Sequence, residues 1–136
     1  MRFNQRFVEI AGRRLSLSNL EKLLYPACGL TKAHLLDYYG RMADVILPHL
    51  KDRALTLKRY PDGVDGEFFF EKRCPSHRPG WAQTAEVRLE GEERLTACLV
   101  NDPATLIWVG NLASIELHVP LARAASPETP DAVVFD

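Results

Sequence analysis

Five sets of residues carry side chains suited to phosphate, base or metal chemistry. Asn19, Lys22 and Lys32 place two ammonium groups and an amide within a short stretch rich in helix-start signals. That combination suits a phosphate dianion, because each ammonium is a compact point charge and free amides at helix N-termini add directional donors. The plainer alternative is a solvated surface, since lysines are exposed in almost any fold. Lys58 and Arg59 end an apolar run just before the turn residues Pro61-Asp62-Gly63, so their heads could project together toward phosphates. Phe69 and Phe70 offer phenyl faces on which bases could stack whatever their identity. In a strand, however, Phe69 faces away from Phe68 and Phe70, so at least one of the three is expected in the core. His118 shares the polar face of an alternating segment with Glu116, where an imidazole can donate or accept, or remain merely solvated. Asp136 closes the apolar run Ala132-Val133-Val134-Phe135, a pattern that predicts a buried strand delivering a carboxylate, a suitable ligand for a hard cation. As the last residue, it could equally be a frayed end.

Two other patterns carry less. Cys74 and His77 form a Cys-x-x-His pair with no second pair at zinc-finger spacing. Gly29, Gly63 and Gly66 make neither a GxGxxG nor a Walker-type loop, which argues against a phosphate-cradling NTPase.

The elements that must position these residues read as mixed α/β. Arg6–Ile10 and Arg13–Leu17 flank Ala11-Gly12 and predict a tight hairpin. Ser18-Asn19-Leu20-Glu21 has a capping-box pattern and predicts a short helix through Leu24, ended by Pro26. Thr31 can cap a longer helix in which Leu35, Tyr39, Met42 and Ile46 form one apolar stripe up to Pro48, with Lys32 in its first turn. Ala54–Arg59 with Phe68–Lys72, and Ala85–Leu89 with Leu95–Leu99 around Glu90-Gly91, predict two more hairpins. Asp102-Pro103 starts a second helix, and Ile115–Val119 reads as a strand. With no repeat, low-complexity tract or long linker, one domain over residues 1–136 is expected.

Composition sets outer limits. The 136 residues are 46% hydrophobic and 26% charged, an ordinary globular balance. The net charge of −1 hides an asymmetry: residues 1–60 hold 11 Lys and Arg against 5 Asp and Glu, whereas residues 61–136 hold 6 against 13. A basic first half is the footprint of a surface that meets phosphates, unless the halves intermix in space. No run of about 18 apolar residues suggests a membrane span, and the N-terminus lacks a signal-peptide core, so a cytoplasmic protein is expected. Cys28, Cys74 and Cys98 are three in number and irregularly spaced, which predicts reduced thiols and no disulfide framework.

The stretches LSLSNLEKLLYP, GLTK, LTLKRYPDGVDGEFFFEK and IELHVPLAR together resemble the polymerase domain of bacterial DNA ligase D, of the archaeo-eukaryotic primase-polymerase superfamily. The resemblance runs through nearly the whole chain but matches only the first part of that domain, so an N-terminal module of a primase-polymerase core is expected. It implies template-directed nucleotidyl transfer at DNA ends in non-homologous end joining, on nucleoside triphosphates with Mg2+ or Mn2+, in the bacterial nucleoid. It assigns Asn19, Lys22 and Lys32 to a 5′-phosphate pocket, and Lys58, Arg59, Phe69 and Phe70 to the DNA template. It further assigns His118 to the nucleotide site and Asp136 to the first aspartate of a catalytic D-x-D metal motif. One aspartate cannot hold the two-metal set, so the 136 residues alone are expected to be inactive while keeping 5′-phosphate DNA-end binding. The alternatives are a non-catalytic DNA-end-binding module, or an interaction protein pairing with a separately encoded second half. Implied partners are DNA ends, a Ku-like protein and a ligase domain, with no membrane; self-association through the apolar run Val133–Phe135 is also expected.

Overall fold

The structure is a computed structural model that describes residues 5–88, 91 and 93–136. Gln5–Ile10 (β1) and Arg13–Ser18 (β2) form the expected hairpin, with Val8 opposite Leu15 and Ile10 opposite Arg13. Ala11 and Gly12 both have positive φ, 51° and 80°, as a two-residue turn matching the strand twist requires. The inner face of β2 buries Leu15 and Leu17.

The short helix expected from Ser18 to Leu24 does not form. Ser18 ends β2 and donates its N–H to Asn111 Oδ1 at 3.0 Å, so it is committed to the strand rather than to a cap. Asn19 turns the chain with φ of 55°, and its carbonyl accepts from the Lys22 amide. Leu23–Tyr25 (β3) then pairs with Leu30–Thr31 (β4). A helix of one to two turns gains too few bonds to offset its nucleation, so tertiary pairing wins over the capping signal.

Lys32–Leu50 (α1) follows, with Leu35, Leu36, Tyr39 and Ala43 buried along one stripe. It continues through Pro48 to Leu50. Pro103–Asn111 (α2) starts at Asp102, whose carboxylate accepts from the Thr105 amide at 2.9 Å. Arg13 secures the same carboxylate at 2.8 Å and so ties the hairpin to α2. The two helices pack closely: a Cβ on Gly110 would lie 2.7 Å from Leu36 and 2.8 Å from Tyr39.

Thr56–Arg59 (β5) is the centre of a three-stranded antiparallel sheet, flanked by Phe69–Glu71 (β6) and Ser114–His118 (β9). Thr84–Arg88 (β7) pairs with Arg94–Cys98 (β8), as the sequence predicts, although the turn at Glu90-Gly91 lies partly outside the described residues. Leu24, Leu55, Leu57, Leu106, Val100 and Val109 form the driest part of the core.

Two further expectations are corrected. Cys74 and Cys98 form a disulfide, with only Cys28 free. Their proximity comes from pairing that their spacing does not reveal: the Cys74 amide donates to Thr96 O on β8 at 2.7 Å. The disulfide also removes Cys74 from any zinc site, and the described residues contain no group of three or more His, Cys, Asp or Glu able to hold a metal. Residues 132–136 form no strand, and Val133, Val134 and Phe135 are exposed, Phe135 at 94%. An extended run becomes a strand only when a neighbouring edge accepts its hydrogen bonds, and no described segment pairs with it. No helix is long and apolar enough to cross a membrane among the described residues.

Candidate nucleic-acid interface

The turn at 19–22, the start of β1 and the start of α1 border an open cavity of about 690 Å³. Asn19, Lys22, Arg6 and Thr31 line it, together with Glu21. Asn19 and Lys22 are therefore brought together as the sequence predicts, and Arg6 joins them. Lys22 is held by Asp62 at 2.9 Å, a pair open enough to solvent for an anion to compete for the lysine.

Lys32 behaves differently. It sits in the first turn of α1, as expected, but is only 5% exposed, and it does not line the cavity. Its ammonium donates to Ser18 O at 2.8 Å and to Asn111 O at 2.7 Å. Burial, with smaller contributions from Lys22 and Arg59, lowers its pKa to about 8. Lys32 thus binds the end of β2 to the end of α2, directly behind the turn that carries Asn19 and Lys22.

The second cluster lies on the β6–β5–β9 sheet. Phe70, Lys58 and Glu116 stand opposite one another in register, one from each strand. The Lys58 ammonium reaches Glu116 Oε2 at 3.2 Å and lies 4.1 Å from the centre of the Phe68 ring. Tyr60 donates its hydroxyl to the same carboxylate oxygen at 2.6 Å, and His118 Nε2 lies 3.1 Å from the other. The Tyr60 hydrogen bond, then that of Lys58 and then that of His118, hold the Glu116 pKa down at about 2. Hydrogen bonding to Tyr60 and then pairing with Glu116 raise that of Lys58. Lys58 and Glu116 are therefore a fixed pair of opposite charges at neutral pH.

The expectation that one of the three phenylalanines packs inside is not met: Phe68, Phe69 and Phe70 are 50%, 43% and 52% exposed. They do alternate, but both faces of this short strand are open. Phe68 and Phe70 meet edge to face at 5.8 Å, and Phe70 meets the His118 ring at 5.6 Å. Phe69 lies on the other face, under the Arg59 guanidinium at 5.0 Å. Arg59 is itself tied to Leu112 O and Glu71, so Lys58 and Arg59 point to opposite faces rather than projecting together. Asp136 is exposed and belongs to no metal-binding group among the described residues.

Sequence reasoning missed Tyr60, Glu116, Glu71, Asp62 and Arg6 as parts of these clusters. Two-residue spacing held part of the signal, since Lys58 and Tyr60 share a face, as do Glu116 and His118. The cross-strand register that joins the two pairs cannot be read from spacing.

Comparison with known proteins places this geometry in a family. Residues 31–136 match the family described as "LigD, primase-polymerase domain". The "Multifunctional non-homologous end joining protein LigD" of Mycolicibacterium smegmatis is 40% identical over 125 residues, which cover 90% of this chain and 16% of that protein. The "Bifunctional non-homologous end joining protein LigD" of Bacillus subtilis is 32% identical, with 90% and 19% covered. The chain therefore spans under a fifth of the length of these relatives. Among solved structures, the "Polymerase Domain from Mycobacterium tuberculosis Ligase D in complex with DNA" superposes with a TM-score of 0.78 at 39% identity, over 81% of this chain and 38% of that one. With its mixed α/β architecture and this degree of identity, the chain belongs to the LigD primase-polymerase domain family.

Proposed function

We propose that this chain supplies the DNA-end-holding part of a LigD-type repair polymerase, which adds nucleotides to DNA ends under template direction during non-homologous end joining. One observation carries the reading. The loop joining β5 to β6 delivers Asp62 onto Lys22, and its Val64 amide donates to Leu24 O. A single loop therefore links the cationic cavity to the aromatic row, so a phosphate and the bases beside it could be gripped together.

Asn19 and Lys22 are assigned to the 5′-phosphate, the amide donating directionally while the ammonium supplies charge. Lys32 belongs to the same pocket by supporting its floor from behind. Lys58, Phe70 and, on the opposite face, Arg59 and Phe69 are assigned to the template strand, with stacking providing a grip that ignores base identity. His118, at the end of this row, is assigned to the incoming nucleoside triphosphate. Asp136 is the proposed catalytic carboxylate and ligand for Mg2+ or Mn2+. The described residues do not make up a complete ion site. A ligase domain and a Ku-like end-binding protein are the proposed partners.

The deciding experiment titrates recessed DNA carrying a 5′-phosphate, and the same DNA with a 5′-hydroxyl, by fluorescence anisotropy at several salt concentrations. The phosphorylated end is expected to bind more tightly, with the difference shrinking as salt rises. Lys22→Ala removes most of that preference, whereas Lys51→Ala weakens both DNAs alike. Equal binding of the two ends by the unmutated, folded chain would overturn the phosphate assignment.

A further inference from the structure

We infer that Glu116 is a positioning residue that sets Lys58 and His118 as one unit around the stacking ring of Phe70. The inference rests on the template reading above and adds a part that the reading does not contain.

Each carboxylate oxygen of Glu116 has its own task. Oε2 receives the Tyr60 hydroxyl at 2.6 Å and the Lys58 ammonium at 3.2 Å, while Oε1 meets His118 Nε2 at 3.1 Å. Tyr60 is buried and rooted by its backbone, whose amide donates to Ala113 O at 2.9 Å. The phenol is therefore a fixed post, and through it the carboxylate acquires a fixed orientation. Lys58 and His118 come from neighbouring strands, and neither has another charged partner among the described residues. Without Glu116, a lysine on a flexible stem and a surface imidazole would each sample several rotamers. With it, the ammonium stays over Phe68 and the imidazole stays edge-on to Phe70.

The carboxylate also cancels the charge of Lys58. The row consequently presents aromatic surface with a neutralised cation rather than a free one. This favours contact with a base over indiscriminate attraction to the phosphate backbone.

These two roles give opposite signs in one experiment. The probes are labelled duplexes with a single-stranded overhang of ordinary nucleotides, and the same duplexes with abasic residues in the overhang. The unmutated chain is expected to prefer the base-bearing overhang by about tenfold. Glu116→Gln keeps the shape but frees the Lys58 charge. Binding to both overhangs should then steepen in salt dependence, by about 0.7 in the logarithmic slope for one additional phosphate contact. The preference for bases should at the same time fall to about threefold or less. Tyr60→Phe keeps the Lys58–Glu116 charge pair but removes the post, so it should reduce the preference while leaving the slope unchanged.

A merely structural role would weaken both overhangs in parallel without altering the slope, and that result would overturn the inference. So would full retention of the preference in both variants. An unmutated chain that does not distinguish the two overhangs would instead remove the template reading itself. Tyr60→Phe also keeps the test open should Glu116→Gln fold poorly.

Discussion

The Lys32 ammonium lies 2.7 Å from the main-chain oxygen of Asn111, joining the first turn of α1 to the last residue of α2. Its cost and its use have the same origin. Removing an ammonium from water is expensive, and burial accordingly lowers the pKa to about 8 from an ordinary 10.5. Between those values the unfolded chain binds more protons at this site than the folded one. Stability from this group therefore rises as pH climbs from about 8 to 10.5, by up to about 3 kcal/mol. Lys32→Met should lose this increment: urea unfolding at pH 7.5 and pH 10 should show the wild type gaining on the variant at the higher pH. A difference between the two proteins that is constant with pH would mean that the ammonium is better solvated than its contacts indicate.

How much of this was legible in the sequence depended on whether a feature is local. The Ala11-Gly12 hairpin, the Asp102 cap and the α1 stripe all rest on contacts within a few residues, and each formed. The helix expected after Ser18 failed because Asn111, far along the chain, claims the Ser18 amide. An odd number of irregularly spaced cysteines with no export signal reads as reduced thiols, because spacing says nothing of the sheet that brings Cys74 beside β8. The buried strand at 132–136 failed for a related reason, since apolar composition cannot provide a pairing edge. At the site, the residue types were readable but their partners were not. Lys32 reads as a cation near a helix start, and only the fold shows it turned inward.

The disulfide gives a direct chemical prediction. A thiol reagent applied to the folded, unreduced protein should find one reactive group, Cys28, and three after denaturation and reduction. Closing a loop of 24 residues' separation constrains the unfolded chain, so reduction should cost about 3 kcal/mol. Three thiols in the unreduced, unfolded protein would show that the bond is not formed.

Gly110 tests the helix contact that holds Asn111 in place. Its nearest neighbours are ring and branched carbons of Tyr39 and Leu36, which are buried and unable to swing away freely. Gly110→Ala should destabilise by about 1 to 3 kcal/mol through overpacking, despite the better helix propensity of alanine. Thermal unfolding of the two proteins settles the sign, and an alanine variant as stable as wild type would mean that α1 and α2 separate easily.

Phe70 and Phe69 face opposite sides of β6, so they should not be equivalent toward a template. Phe70 adjoins Lys58 and His118, whereas Phe69 is covered on one side by Arg59. Phe70→Ala should cost about 1 to 3 kcal/mol in binding a base-bearing overhang and little with an abasic one. Phe69→Ala should cost less, because its face is already shared with a guanidinium. Anisotropy titrations of the four combinations decide this; equal losses from both substitutions would show that the strand is gripped from both sides.

Asp62 makes the phosphate assignment testable from the opposite direction. Lys22 is held by Asp62, and that carboxylate must give way or share when a phosphate arrives. The pair is exposed, and such pairs are worth no more than about 1 kcal/mol, so the competition is weak but real. Asp62→Asn keeps the size and polarity of the side chain while removing its charge. It should therefore tighten binding of 5′-phosphorylated DNA by about two- to fivefold, with a smaller gain for the 5′-hydroxyl end. The gain should vanish when Lys22→Ala is already present, because the carboxylate then has nothing to withhold. Titration of the two ends with the single and double variants completes the cycle. A persistent gain in the double variant would mean that Asp62 acts by general repulsion of DNA rather than by holding Lys22.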